Sequence, residues 1–248
     1  MTDQHSRLDV VYRFFSGTGF SYDRVVNLWT CGFDRYWKRC IIGRIHADSQ
    51  NILDQACGTG ILTLRIARAF PDSRVIGVEL RDEYLAFARA KVGRTGQGNV
   101  RLLLGRAEEV VPEEEAFDCI TSSYLAKYAD LETLLANAGR MLRPGGLLLL
   151  HDFTYPTSPW FRCLWRTWFR LMQAVGDRLF PEWRTVFHEL PDFLRQTRWL
   201  PQTLALLRRQ GFVDISSTSL TCGTSALVSA RKSGRSTGSG RESAATFS

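Results

Sequence analysis

From residue 51 onward, short unbroken apolar runs alternate with stretches of helical periodicity, and few folds accommodate that alternation. ILDQA (52–56), RVIGVEL (74–80), VRLLLG (100–105), FDCITSSY (117–124) and GGLLLLHDF (145–153) read as strands. GILTLRIARAF (60–70), EYLAFARAKV (83–92) and LETLLANAGRML (131–142) read as helices. Strands that are apolar on both faces belong in a parallel sheet covered by helices on both sides. Further on, LPQTLALLRRQ (200–210), closed by Gly211, reads as a helix. FVDISSTSL (212–220) and TSALVSARK (224–232) follow as strands close enough to pair as a hairpin. The pattern predicts an α/β fold with a Rossmann-like, doubly wound, mostly parallel seven-stranded sheet and an antiparallel strand at its edge.

The 248 residues, 44% of them apolar, are enough for one such domain with a proper core. We place that domain at residues 1–231, with a helical lead-in over 1–47 and an Arg- and aromatic-rich insertion over 153–190. The Ser/Gly-rich segment 232–248 is expected to be a disordered tail. A net charge of +7 suits an anionic partner, either nucleic acid or an acidic membrane surface. Six cysteines stand apart with no CxxC and no Cys/His cluster, which argues against a zinc site and a disulfide framework and predicts no metal. MTDQHSRLDV lacks the apolar core of a signal peptide, and no apolar run approaches the roughly 20 residues of a spanning helix. The expectation is a cytoplasmic protein, soluble or peripherally attached to a membrane.

The chemistry concentrates in NILDQACGTGILTLRIA (51–67), where an apolar strand ends in an acid and small residues crowd the next turn. In a parallel doubly wound sheet, small residues after the first strand let the backbone approach a ligand. A dinucleotide fingerprint would read G-x-G-x-x-G/A with pyrophosphate at the helix N-terminus. Gly58 and Gly60 match, but the third position is the β-branched Thr63. Asp54 at the strand end would repel a pyrophosphate and suits a cationic or hydrogen-donating ligand instead. Glu79, at the end of the second strand, can accept both hydroxyls of an unphosphorylated ribose, a role that alone fits NAD equally well.

The whole set is more specific. DQACGTG (54–60) resembles the glycine-rich motif of class I S-adenosylmethionine methyltransferases, with Ala56 where many members carry Gly. Glu79, GRAE (105–108), FDCITSS (117–123) and MLRPGG (141–146) agree with the later motifs of that superfamily. The lead-in YDRVVNLWTCGFDRYWKR (22–39) resembles the N-terminal signature of the ubiquinone/menaquinone biosynthesis C-methyltransferases. Tyr22, Asp23, Gly32 and Trp37 match; Val25 and Val26 replace Met-Asn, Thr30 replaces Ser, and Asp34 replaces His. DFLRQT (192–197) and GTSALV (223–228) sit where that family has Tyr-Leu-x-Glu-Ser and Gly-x-x-Ala-Leu segments. The resemblance covers residues 10 to about 231, with Lys127 in place of Arg and Gln196 in place of Glu.

The resemblance implies S-adenosyl-L-methionine as cofactor, held by Asp54, Ala56, Gly58, Thr59, Gly60, Glu79 and Leu80. Arg106 and Ala107 would lie beside the adenine and Ser123 at the end of the fourth strand. It implies methyl transfer to a small lipophilic aromatic acceptor, foremost ring-carbon methylation of a polyprenyl hydroquinone. Tyr22, Lys127 and His151 are the candidates for acceptor binding. Such a transfer needs an in-line nucleophile and one general base to deprotonate a ring hydroxyl. Asp152, beside His151, and His188 are the candidate bases. Methylation of oxygen or nitrogen on another small molecule or a lipid headgroup is the alternative on the same fold, and a non-catalytic ligand-binding descendant is a further one. A nucleic-acid substrate is not expected, because no catalytic Cys motif, Asn/Asp-Pro-Pro-Tyr/Phe motif or appended basic domain is present. A second copy of the chain is a further candidate partner. In the insertion, Phe161, Trp165, Trp168, Phe169 and Met172 fall at helical spacing beside Arg162, Arg166 and Arg170. That helix is either a lid over the cofactor or an interfacial helix whose Trp and Phe face lies at the acyl boundary of an anionic membrane.

Overall fold

The computed structural model describes residues 2–234, with side chains from Arg7 onward; the remainder of the tail expected to be disordered lies outside the described residues. The lead-in forms α1 (Thr2–Phe15), α2 (Tyr22–Trp29) and α3 (Phe33–Ile42). The alternation that follows gives β1 (Asn51–Gln55), α4 (Ile61–Ala69), β2 (Arg74–Glu79), α5 (Asp82–Thr95) and β3 (Val100–Leu104). It continues as β4 (Phe117–Ser123), α6 (Leu131–Met141) and β5 (Leu142–Phe153). The insertion folds into α7 (Pro159–Leu179) and α8 (Arg184–Gln196), joined by a 3-10 turn at Pro181–Trp183, so it runs six residues past the expected boundary at 190. Helix α9 (Trp199–Arg209), β6 (Phe212–Leu220) and β7 (Ser225–Lys232) complete the domain.

The strands form one seven-stranded sheet in the order β3-β2-β1-β4-β5-β7-β6. Strands β1 to β5 pair in parallel, while β7 is antiparallel to both β5 and β6. The edge hairpin therefore carries the antiparallel strand one place in from the rim, with β6 outermost. The order reverses between β1 and β4, and ligands of open α/β sheets lie beyond the carboxyl ends of the strands at such a switch point.

Neighbouring residues on each central strand serve opposite faces of the sheet. Leu53, Ile120 and Leu148 pack with Leu134 and Leu135 of α6 and Leu207 of α9. Ile52, Cys119 and Leu149, one residue away on the same strands, pack with Trp37 and Ile41 of α3 and Leu62 and Ile66 of α4. A period of two within runs apolar on both sides is what a doubly covered sheet requires. A third cluster joins the lead-in to the insertion, with Phe14 and Val25 against Trp183, Phe187 and Leu190. It forms a cap over the carboxyl ends of the strands.

Helix α7 corrects the orientation expected from its aromatic spacing. Phe169 and Met172 are buried, and Trp168 Nε1 donates to the Trp29 carbonyl at 2.9 Å, so the face expected at a membrane packs onto the protein. Trp160, Leu164, Leu171, Val175 and Leu179 are the exposed large apolar residues of this helix. At 3.6 residues per turn they fall within an arc of about 100°. Among the described residues, no helix is long and apolar enough to cross a membrane.

The α7–α8 contact has no spare room at Gly176, where a Cβ would stand 2.3 Å from the Phe187 ring. That ring is 1% exposed and stacks on Trp29 at 4.5 Å, so it cannot swing away. Gly176→Ala would gain up to about 1 kcal/mol in helix propensity. Overpacking costs about 1–3 kcal/mol and should win. Urea unfolding should show a lower midpoint with an unchanged m-value; a variant as stable as the parent would show that the cap is loosely packed.

Candidate functional site

Two buried carboxylates end adjacent strands and organise the turn between them. Asp54 is 1% exposed; its Oδ2 accepts from Thr63 Oγ1 at 2.6 Å and its Oδ1 from Thr121 Oγ1 at 3.0 Å. Burial pushes its pKa up to about 6, against the two hydroxyl donors that lower it. Thr63, the residue that broke the dinucleotide pattern, is thus a partner of this acid. Glu79 accepts from Gly58 N–H and Arg81 N–H, both at 2.9 Å, which ties the glycine turn to the start of α5. Burial raises its pKa as well.

The turn is held from the lead-in side too. Thr59 Oγ1 donates to Asp23 of α2 at 2.5 Å, and Lys91 of α5 donates to the same carboxylate and to the Thr59 carbonyl. Thr59 therefore anchors the turn. Gly60 takes φ +82°, and a Cβ there would lie 3.2 Å from Ala88 Cβ, so only glycine lets α4 start against α5. Ala56 takes φ +56° where a glycine would be at ease.

Four connected cavities lie above this turn. The first, a cleft, is lined by Ala56, Gly58, Glu79, Leu80, Arg106 and Ala107, among others. Below it a small polar pocket of about 30 Å³ brings Asp54 and Lys38 together under Thr59 and Ser123. Lys38 is itself buried in an ion pair with Asp34. A third chamber is apolar except for Lys127 and Thr30 and is closed by Phe15, Val25, Trp183 and Leu190. A fourth chamber, of about 420 Å³, extends from it beneath α7. Tyr124 lines the first three, and Tyr22 does likewise. Tyr124 adopts φ +69°, strained for a bulky residue, and its hydroxyl donates to Asp34 Oδ1 at 2.7 Å.

The arrangement matches the chemistry of an adenosyl amino acid. Glu79 faces the cleft with lone pairs left over for ribose hydroxyls, and Arg106 carries a buried Nε with no hydrogen-bond partner. A buried cation and a buried acid across one small pocket suit the carboxylate and ammonium of an α-amino acid.

On the acceptor side several expectations change. Asp152 is fully buried, and its carboxylate accepts from Lys127 Nζ at 2.6 Å, Lys127 N–H at 3.0 Å and Phe153 N–H at 2.7 Å. It reaches the third chamber only through Lys127, so it does not face an acceptor directly. Burial lowers the pKa of Lys127, opposed by Asp152. His151 is also fully buried, bridging Ser123 Oγ and Ser225 Oγ at 3.1 and 3.2 Å, and burial depresses its pKa well below the usual value. It is a satisfied core histidine and not an acceptor ligand. His188 lies on the exposed face of α8, 2.9 Å from Asp177, because the helical period that buries Phe187 and Leu190 turns it to solvent. It is not part of the site. Sequence reasoning did not single out Thr121, Lys38 or Tyr124, nor Tyr84 and Tyr128, which also line the cleft. Thr121 and Lys38 lie inside the motif segments 117–123 and 22–39, and Tyr124 ends the fourth apolar run, so these three carried a signal.

The ubiE/COQ5 methyltransferase family model matches residues 1–232 of this chain. The demethylmenaquinone methyltransferase of Geobacillus stearothermophilus is 26% identical over 227 residues, covering 90% of this chain and 97% of that protein. The enzyme of the same name from Staphylococcus aureus strain JH9 is 24% identical over 230 residues, covering 92% and 95%. Among solved structures, Haemonchus contortus phosphoethanolamine N-methyltransferase 2, in complex with phosphomonomethylethanolamine and S-adenosylhomocysteine, superposes with TM-score 0.59 at 18% identity. That match covers 80% of this chain and 52% of the other, so this chain spans about half its length. Geranyl diphosphate C-methyltransferase from Streptomyces coelicolor A3(2) superposes with TM-score 0.58 at 15% identity, covering 80% and 79%. These two likenesses concern the fold. The match over nearly the whole sequence goes further: the chain belongs to the ubiE/COQ5 methyltransferase family and is an S-adenosylmethionine-dependent methyltransferase.

Proposed function

We propose that the protein methylates a ring carbon of a polyprenyl hydroquinone of the demethylmenaquinol type. The observation that carries this reading is Lys127, the one ionisable amine in an otherwise aromatic and aliphatic chamber next to the cofactor cleft. Bound S-adenosylmethionine supplies an electrophilic methyl group. Glu79 holds the ribose, Arg106 and Ala107 flank the adenine, Ser123 closes the cleft at the end of β4, and Asp54 with Lys38 holds the amino-acid end. Tyr22 and Tyr124 stand where cleft and chamber meet and exclude water. Lys127 accepts the proton of the ring hydroxyl and, as an ammonium, stays beside the phenolate it creates. Asp152 positions Lys127 and stabilises that ammonium. A hydroxyl deprotonated ortho or para to the reacting carbon raises the electron density there; the new carbon–methyl bond forms as the sulfur–methyl bond breaks, S-adenosylhomocysteine is the leaving group, and the hydrogen of that ring carbon departs as a proton to restore the aromatic ring.

The relatives named demethylmenaquinone methyltransferase support a quinol over the oxygen or nitrogen acceptors of the rival reading. The apolar ridge of α7, flanked by the exposed Arg166 and Arg170, supports peripheral docking on an anionic lipid surface where such a quinol dissolves.

Three outcomes follow. With the Asp54 pKa at about 6, the group is close to half protonated at pH 6 in the free protein. An ammonium placed beside it favours the carboxylate, so binding S-adenosylhomocysteine at pH 6 should release up to about half a proton. Calorimetry in buffers of different ionisation enthalpy should show this release, and Asp54→Asn should abolish it. A binding enthalpy independent of buffer in the parent would remove Asp54 from the ligand's charged end.

Lys127→Met alone would strand Asp152 as a buried charge at a cost of about 3–5 kcal/mol. The double variant Lys127→Met with Asp152→Leu removes both charges and should fold. Its turnover with a demethylated quinol should drop by about two to four orders of magnitude at retained cofactor affinity. In the parent, kcat should rise with pH and level off below the ordinary lysine range, since the neutral amine is the active form and burial lowers its pKa. A double variant within a few-fold of the parent would place the base elsewhere.

Sedimentation with phosphatidylglycerol vesicles tests the docking. Trp160→Ser with Leu171→Ser should weaken it on the order of tenfold or more. Replacing Arg166 and Arg170 by Gln should flatten its salt dependence. A parent protein that stays in the supernatant at low salt would rule docking out.

A further inference from the structure

The fourth chamber lies outside the chemistry described so far. It is the larger of the two on the acceptor side, about 420 Å³ against about 50 Å³ for the chamber at Lys127. Its walls come from six places in the chain, among them Trp29 of α2, Trp37 of α3, Phe153 of β5, Trp165 of α7, Leu194 of α8 and Thr224 of the β6–β7 connection.

Five polar side chains among these walls are already engaged within the protein. Thr30 Oγ1 donates to the Val26 carbonyl at 2.8 Å, and Thr224 Oγ1 to the Thr221 carbonyl at 2.9 Å. Trp37 Nε1 donates to Thr221 Oγ1 at 2.7 Å, and Trp168 Nε1 to the Trp29 carbonyl. A polar or charged ligand would therefore lose its hydration there for few replacement hydrogen bonds. Water gains little in an apolar cavity for the same reason. An empty space of this size also forfeits dispersion contacts along its whole lining. An uncharged, flexible hydrocarbon satisfies both conditions.

Its position selects which hydrocarbon. The fourth chamber shares Trp29, Thr30, Phe153 and Leu190 with the chamber at Lys127, so the two are contiguous. Its outer rim holds Leu164, Phe33, Cys31 and Cys222, all exposed, and Leu164 belongs to the outward ridge of α7. A chain attached to a ring beside Lys127 has a continuous apolar path from the reacting end to the protein surface.

We infer that the fourth chamber is the binding site for the isoprenoid chain of the acceptor. The inference rests on the proposed quinol ring beside Lys127. Most of the acceptor's binding free energy then comes from the chain, while the ring is placed by a single amine and a few aromatic contacts. Chain contacts persist unchanged through methyl transfer, so they set acceptor affinity more than the rate of the chemical step.

The test uses the full chain saturated with S-adenosylhomocysteine and a series of 1,4-naphthohydroquinones, kept anaerobic, bearing no, one, two or four isoprene units. Calorimetry should show Kd falling by on the order of tenfold or more per unit over the first two units, then levelling as the chamber fills. Leu164→Trp at the rim and Thr224→Phe in the wall, which both fill the chamber, should each flatten that dependence. The slope is compared within each protein, and circular dichroism confirms folding. A parent series without slope, or an equal slope in both variants, overturns the inference. Turnover of the same compounds with S-adenosylmethionine separates the two claims. A slope lost in the variants, with no methylated product from any compound, keeps the chain site and rejects the quinol acceptor. Methylation of every compound with a KM independent of chain length keeps the acceptor and rejects the chain site.

Discussion

The site depends on two carboxylates held out of water at the ends of neighbouring parallel strands. Asp54 and Glu79 lie on strands paired side by side and have different tasks. Asp54 joins β1 to α4 through Thr63 and to β4 through Thr121, so the three elements that meet at the switch point converge on one acid. Glu79 uses both its oxygens on backbone N–H groups, one from the glycine turn and one from the start of α5. Burying a carboxylate is costly unless donors surround it. Here the donors are also the parts that must be positioned, so satisfying the acids fixes the shape of the turn. The raised pKa values of both show that desolvation still outweighs the donors, which leaves each acid able to gain from a ligand's own donors or positive charge.

The cap over these strands depends on a different balance. Lead-in and insertion are far apart in sequence but share a single aromatic cluster in which Trp29 stacks on Phe187 at 4.5 Å and Tyr128 on Phe193 at 5.2 Å. The cap surrounds the acceptor side with rings and admits few charges. Lys127 is one, and it is held twice, by Asp152 and by the Tyr124 carbonyl at 2.8 Å. Its ammonium also lies 4.4 Å from the centroid of the Tyr128 ring, where the quadrupole favours a cation. A charge so constrained cannot follow a mobile substrate, so in the function proposed above the hydroxyl must be brought to it.

Tyr124 links the two halves. Its backbone is strained, its ring stacks on Phe153 at 4.7 Å, and its hydroxyl is directed to Asp34. Asp34 stands where the C-methyltransferase signature carries histidine, and here it forms a buried pair with Lys38 while accepting from Tyr124. A histidine could not hold that pair as an anion does. Asp34 thus ties Tyr124 and Lys38 into one buried network beside the glycine turn.

Some of this was legible in the amino-acid sequence. The period of two within double-sided apolar runs specified the parallel sheet, because only strands covered on both faces tolerate such runs. The small residues after β1, the acid before them and Glu79 marked the candidate cofactor cleft, because a backbone that approaches a ligand closely must shed its side chains. Other features depend on the third dimension. Whether Asp152 faced a substrate or a lysine was decided by the turn after β4, which lays Lys127 across it. His151 and His188 differ in burial because one sits near the carboxyl end of β5, an inner strand flanked by β4 and β7, and the other on the outer arc of a cap helix. The aromatic spacing of α7 announced an amphipathic helix, but its composition placed apolar residues on more than one face. Only packing against α2 and α8 decided that Trp168 and Phe169 turn inward and Trp160 and Leu171 turn to solvent, since helical periodicity sets the angle between residues but not the direction of the core.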